Sequence, residues 1–376
     1  MCHTRRLFIP GARVPVHSML VFGIATLIAG SSVADARGRR RPKLPGVAID
    51  KNHLVGKPHR MGRLAVFPVY ARKQRKVGKF VTLREAVARN KAAVSELGTA
   101  RARVSTILVI NRGSDPILIL GGTVILGGKQ DRQIGEDTIV GARSKTRVKV
   151  FCVEKGRWSE QRGGKATRGK FTVLEVLASR TVRNAGQYRS SQSAVWRNVA
   201  KYNRKAGKRS RTGSLLVSVN DKKIKKRRKK LTARAIRYLD RLRLKKRVVG
   251  LAFAVAGKLT SVRWFCDHGV YRRFRMVLLN TAATEALIAK KPKRRRYASA
   301  GDVKQFLAKL SKARRMRTDK RRHNTNYLFS GSEAQGYRSA TYYRAAKRYA
   351  RGRRPRAAPP RARPRHAPVT VDNSVE

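Results

Sequence analysis

Between residues 61 and 290 apolar positions recur in short runs broken by turn residues. The run LAVFPV at 64–69 reads as a strand, and Pro68, which lacks an amide donor, predicts an edge position for it. Residues 104–110, 117–120, 123–126, 139–140 and 148–153 continue the rhythm, with NRGSDP at 111–116 and the pair Gly121 and Gly122 as breaks. Val248–Ala256 and Val262–Cys266 read as a hairpin around Gly257 and Lys258. Short strands at this spacing predict an antiparallel, sandwich-like sheet.

The period then changes. Thr82 with Glu85 three positions on is a capping box, and Leu83, Ala86 and Val87 give the helix behind it one apolar face. Leu231, Ala235, Tyr238, Leu239 and Leu242 line a second helix, Met276–Ile288 is a third, and Val303, Phe306, Leu307 and Leu310 mark a fourth, with Asp302 as its expected cap. The fold class expected is α+β: an antiparallel β-rich, sandwich-like core with packed helices over 61–290, flanked by basic disordered arms. No internal repeat is present.

Charge changes the picture at the ends. The chain has 376 residues with 91 Lys or Arg and 20 Asp or Glu, a formal charge of +71. Such an imbalance predicts attraction to polyanions: nucleic acid, polyphosphate or an anionic envelope polymer. Residues 37–60 read as a basic arm and 291–350 as a basic helical extension. The run KKIKKRRKK at 222–230 is expected to stay extended and solvated, and the Arg/Pro/Ala-rich stretch 351–376 to be disordered. Tyr327, Phe329, Tyr337, Tyr342, Tyr343 and Tyr349, interleaved with these cations, offer base or sugar stacking or simply helix-face packing.

Residues 1–36 read as a secretory signal: Arg5, Arg6 and Arg13 precede the uncharged run Met19–Ala29, and Ala34 and Ala36 supply the small residues of a cleavage site. The apolar run is short of the ~20 residues that span a bilayer. Export to the periplasm or beyond is expected, with no transmembrane span after cleavage. Cys152 and Cys266 would then meet an oxidising compartment, as a disulfide or as two buried thiols.

Several chemistries lack their residues. The His residues form no H-E-x-x-H motif and no Cys/His quartet, so no zinc hydrolase is indicated, and no metal or cofactor is expected. There is no G-x-S-x-G elbow and no Rossmann glycine fingerprint. The run GGTVILGGKQDR at 121–132 fails the phosphate-loop pattern, because Gln130 follows Lys129 where Ser or Thr is required.

Four stretches together carry a resemblance: TLREA at 82–86, GGTVILGGKQDR at 121–132, FCVEKGRW at 151–158 and QSAVW at 192–196. In this order they resemble the ARG and rhodanese-phosphatase-superfamily-associated protein domain family, over roughly 61–290. The family is largely uncharacterised. Its name implies a context of ADP-ribose or NAD-related metabolism and assigns no chemistry.

Gly127 and Gly128 let the backbone turn after a strand and deliver Lys129, Gln130, Asp131 and Arg132 together, while 148–153 ends in Glu154, Arg157 and Trp158. If the two strands are neighbours, their polar ends meet. Lys129, Arg132 and Arg157 would hold phosphate, and Trp158 or Trp196 would stack a flat ring, with Gln130 and Gln192 nearby. Asp131 or Glu154 would bind ribose hydroxyls or act as general base. The competing reading is an internal Arg–carboxylate network that pins the sheet. The function expected is therefore an exported polyanion-binding protein whose core takes a nucleotide- or ADP-ribose-like ligand. The alternatives are an enzyme of ADP-ribose or NAD-related metabolism, or a structural envelope protein.

Overall fold

The structure, a computed structural model, describes residues 43–97, 105–162, 165–166, 171–291, 297–330 and 335–341. The expected signal (1–36) and tail (351–376), with Tyr342, Tyr343 and Tyr349, lie outside these residues. Seven α-helices are described: α1 (Leu83–Ala88), α2 (Arg180–Gln187), α3 (Gln192–Lys205), α4 (Leu216–Val219), α5 (Lys222–Arg241), α6 (His268–Ile288) and α7 (Ala300–Ser311). With several mostly antiparallel sheets they make an α+β fold with a β-rich core.

The first sheet runs Val47–Ala48, His53–Val55, Leu64–Ala71, Val248–Val255 and Lys258–Trp264, with His59–Met61 also pairing on Leu64–Ala71. The strands Val47–Ala48 and His53–Val55 and residues 59–60 of His59–Met61, expected within the basic arm 37–60, thus belong to the sheet. Alternation divides its two faces. Val66, Tyr70, Leu251 and Phe253 pack toward α5 and α6, while Phe67, Val69, Ala252 and Ala254 pack toward Val303 and Phe306 of α7. Leu64–Ala71 is an interior strand and not the edge that Pro68 suggested. The carbonyl of Pro68 accepts from Gly56 N at 2.9 Å, so its missing amide faces the loop between two short strands, where no ladder bond is lost.

The second sheet is Phe171–Leu177, Thr123–Gly127, Arg132–Ile134, Ser144–Cys152, Thr106–Asn111 and Ala92–Glu96 in spatial order. Ile107, Val109, Ile125, Val148 and Val150 on one face join Ile117, Ile119 and Val140 of a small third sheet and Leu83 and Ala86 of α1. The third sheet includes one parallel pair, Val81–Thr82 with Ile117–Ile119. The other face, with Val124, Phe151 and Val153, is covered by α2 and α3. The capping box of α1 is present as predicted.

Two segments depart from expectation. The polybasic run 222–230 is helical, the first half of α5. Asp221 caps it by accepting Ile224 N at 2.9 Å. Arg228, Thr232, Ala235 and Leu239 form a buried stripe. Arg228 reaches Glu175 at 2.7 Å, the Val219 carbonyl at 2.7 Å and Thr284 Oγ1 at 3.5 Å. Like charges four apart on an exposed helix cost only ~0.2–0.5 kcal/mol per pair. Burying a single apolar side chain returns ~1.5–3 kcal/mol, so the buried face prevails.

After α7, where a helical extension was expected, an antiparallel meander follows: Arg314–Lys320, Asn324–Ser330 and Gln335–Thr341. Tyr327 and Phe329 are therefore strand residues. Asn324 and Asn326 are buried, donating to the Asp137 carbonyl at 2.9 and 3.0 Å, and Arg321 pairs with Glu136. The cap of α7 is Ser299, with Asp302 as the reciprocal partner in a capping box. Cys152 and Cys266 are both free thiols; burial pushes Cys152 up to about 11. Among the described residues no helix is long and apolar enough to cross a membrane.

Candidate functional site

The strands Thr123–Gly127 and Ser144–Cys152 are not direct neighbours; a short strand, Arg132–Ile134, lies between them. Arg132–Ile134 pairs with Thr123–Gly127 on one side and Ser144–Cys152 on the other, with Arg132 opposite both Ile125 and Cys152. This insertion still draws the predicted charged residues to one end of the sheet. Gly128 makes the turn possible: its φ is +56°, and a Cβ there would lie 2.7 Å from both Glu96 Oε1 and Phe171 Cζ.

Asp131, Arg132, Glu154 and Arg157 come together, and all four are buried. The guanidinium of Arg157 donates to Glu154 Oε2 at 2.8 Å, to the carbonyls of Gly128 and Ser159 at 2.8 and 2.7 Å, and to Asp131 Oδ1 at 3.4 Å. Arg132 pairs with Glu96 at 2.5 Å, and Thr212 Oγ1 donates to Glu154 Oε1 at 2.9 Å. Each guanidinium thus meets a carboxylate inside the fold. The arrangement ties the strand ends to the 154–159 turn and to the loop before α4; it presents no unpaired phosphate-binding fork.

Gln130 is buried and donates to the Lys155 carbonyl at 3.4 Å. Gln192, at the start of α3, pairs its side-chain amide with both backbone groups of Cys152 at 2.8 Å, as an added strand residue would. The backbone amide of Lys129 donates to Glu96 Oε1 at 3.2 Å, but the side chains of Lys129 and Trp158 stand outside this network. The ammonium lies 5.8 Å from the indole centroid, and Trp158 is 50% exposed. Trp196 is half-buried with Lys155 at 6.0 Å from its ring. An open hollow of about 350 Å³ beside Glu154 and Arg157 is lined by Ser210, Thr212, Ser214 and Asn220 together with Leu216 and Val217. No cluster of His, Cys, Asp or Glu suited to a metal is found among the described residues.

A cleft of about 850 Å³ lies elsewhere, between α1, α6 and the strand Phe171–Leu177. A third feature is the water-facing side of α5. Lys223, Arg227, Lys230, Arg234, Arg237 and Arg241 recur at intervals of four or three, and all six are exposed. On an α-helix this spacing places them in one row. The sequence already contained this row, but charge count alone pointed to an extended segment.

A family model for the ARG and Rhodanese-Phosphatase-superfamily-associated Protein domain matches residues 52–349. The chain belongs to this family. The match takes in the first-sheet strands from His53 onward, α5 and the meander after α7, and so runs past both ends of the 61–290 span expected from the sequence motifs. No curated protein and no solved structure matches the chain.

Proposed function

We propose that this protein binds linear polyanions along the exposed face of α5, and that it does so after export. The row of six cations supports the reading most directly. From Lys223 to Arg241 a helix rises ~27 Å at 1.5 Å per residue. A DNA duplex presents one negative charge per ~1.7 Å of axis over the same length. Because the buried stripe holds α5 on the core, the cations are pre-ordered, and binding need not fix a flexible segment. Lys226 is exposed beside the row, and Lys222 and Lys229, exposed farther round the helix, broaden the positive field. The only acid within α5, Asp240, is engaged by Arg275 at 2.7 Å. Export rests on the composition of residues 1–36, which would place this surface in the periplasm or outside the cell.

The chemistry shared by candidate partners is a repeating anion. Fluorescence anisotropy of the full mature chain with labelled duplex DNA, inorganic polyphosphate and an anionic wall polymer separates the sources. At least one should bind, and substituting the six row residues by Ala should weaken it at least tenfold at moderate salt. Equal affinity of wild type and variant for all three would overturn the reading.

A further inference from the structure

The cleft beside α1 and α6 is independent of the basic row on α5, and its walls are chemically lopsided. Its interior is formed by Phe80, Leu83, Leu118, Leu177, Phe274 and Val277. The polar groups among these walls already have partners within the fold. Thr123 Oγ1 donates to the Leu120 carbonyl at 2.7 Å. Asn280 donates to the Glu175 carbonyl at 3.1 Å and accepts from Thr232 Oγ1 at 2.8 Å. Glu85 accepts from Thr82 N at 2.9 Å and from Arg273 at 3.0 Å. A ligand with polar ring edges, such as a nucleobase, would find few free donors or acceptors inside. An apolar body would not be penalised.

The mouth differs. Lys79, Arg84, Arg272 and Arg273 stand against Glu85 and Glu175, an excess of two positive charges. Lys79 pairs with Asp115 at 3.0 Å, Arg84 lies 3.7 Å from Glu175, and Arg273 holds Glu85. Arg272 has no ion-pair partner among the described residues and is exposed. One turn along α6, Met276 is 48% exposed and also lines the cleft. An available guanidinium thus sits next to an exposed apolar side chain at the entrance to an apolar cavity.

We infer that this cleft binds a small amphipathic anion, an alkyl or aryl carboxylate, with its apolar body among Phe80, Leu118 and Phe274 and its carboxylate at Arg272. The volume lies within the ~300–1,000 Å³ typical of small-molecule pockets. A guanidinium can also donate two parallel hydrogen bonds to one carboxylate.

Isothermal titration of the full mature chain with decanoate tests this, with acetate, decanol and decyltrimethylammonium as comparisons. Decanoate should bind at least tenfold more tightly than each of the other three. Arg272→Ala should weaken decanoate at least fivefold and leave decanol unchanged. Val277→Trp, which fills the cleft, should abolish both, with folding checked by thermal unfolding. Should Val277→Trp fail to fold, the Arg272→Ala comparison still decides. Equal binding of the anionic and cationic amphiphiles, or decanoate binding untouched by Arg272→Ala, would overturn the inference. Loss of binding by the α5 row variant but not by Arg272→Ala would assign the signal to the row instead.

Discussion

Arg157 shows how much of the candidate site could be read from single residues. The spacing of Glu154 and Arg157, and the glycine turn before Lys129, bring the right side chains together. The sequence could not say whether their charges face water or one another, because burial depends on strands and loops far along the chain, such as Glu96 and Thr212. The structure places the charges against one another. Breaking a buried pair costs ~3–5 kcal/mol, because it strands a desolvated charge. Glu154→Gln and Arg157→Lys are therefore each expected to lower unfolding free energy by about 3 kcal/mol in urea titrations. A change under 1 kcal/mol would show that the network is not structural. Arg228→Ala should be similarly costly, whereas Lys229→Ala, beside it on the exposed side, should stay within about 0.5 kcal/mol. The carboxyl groups of Glu85 and Glu175 also set a pH dependence. Burial opposes their ionisation. For Glu85 the bonds from Thr82 and Arg273, and for Glu175 the bond from Arg228 with the nearby positive charge of Arg84, outweigh it and hold both below the ordinary value of 4.5. The folded state then releases protons that the unfolded chain keeps, so their stabilisation is complete above about pH 4.5 and is lost as pH falls through the folded values. Glu85→Gln should flatten the acid limb of melting temperature against pH; an unchanged limb would contradict this.

The strands Leu64–Ala71, Ile117–Ile119, Thr123–Gly127 and Val248–Val255 and the capped helix α1 were legible, because apolar period and turn residues speak for themselves. Arg132–Ile134 was not. Its residues are polar or mixed, and it is buried through pairing on both edges rather than through a hydrophobic run. The meander 314–341 was missed for a similar reason: its first strand, RRMRTDK, is mostly charged, and the strand beside it is held by buried Asn324 and Asn326 against Asp137. The clearest case is α5. A run of eight cations in nine residues was expected to repel itself into an extended form, yet Ile224, Arg228, Leu231 and Ala235 keep helical spacing through it. Hydrogen exchange checks this element directly. Amides from Arg228 to Leu239 should be protected nearly as well as those of α6, while rapid exchange throughout would mean that the helix is not formed in solution.

At the scale of the molecule, a charge of +71 attracts any polyanion, so affinity alone does not identify a binding surface. What distinguishes the proposed function is location: an ordered row of cations on one helix, backed by a packed core. Charge elsewhere provides the control. Lys51, Arg112, Lys145, Arg147, Lys258 and Lys304 are also exposed and lie outside α5. Two variants, each with six cations replaced by Ala, one in the row and one at these scattered positions, carry the same net charge. Each phosphate contact contributes ~0.9 to the slope of log affinity against log salt on duplex DNA. The most direct measurement is that slope for wild type and both variants, on duplex DNA or on whichever polyanion binds. The row variant should lose up to about 5 units of slope if all six contacts are made, and the scattered variant less than about 1. Equal losses in the two variants would contradict a defined binding face and leave only diffuse attraction by net charge.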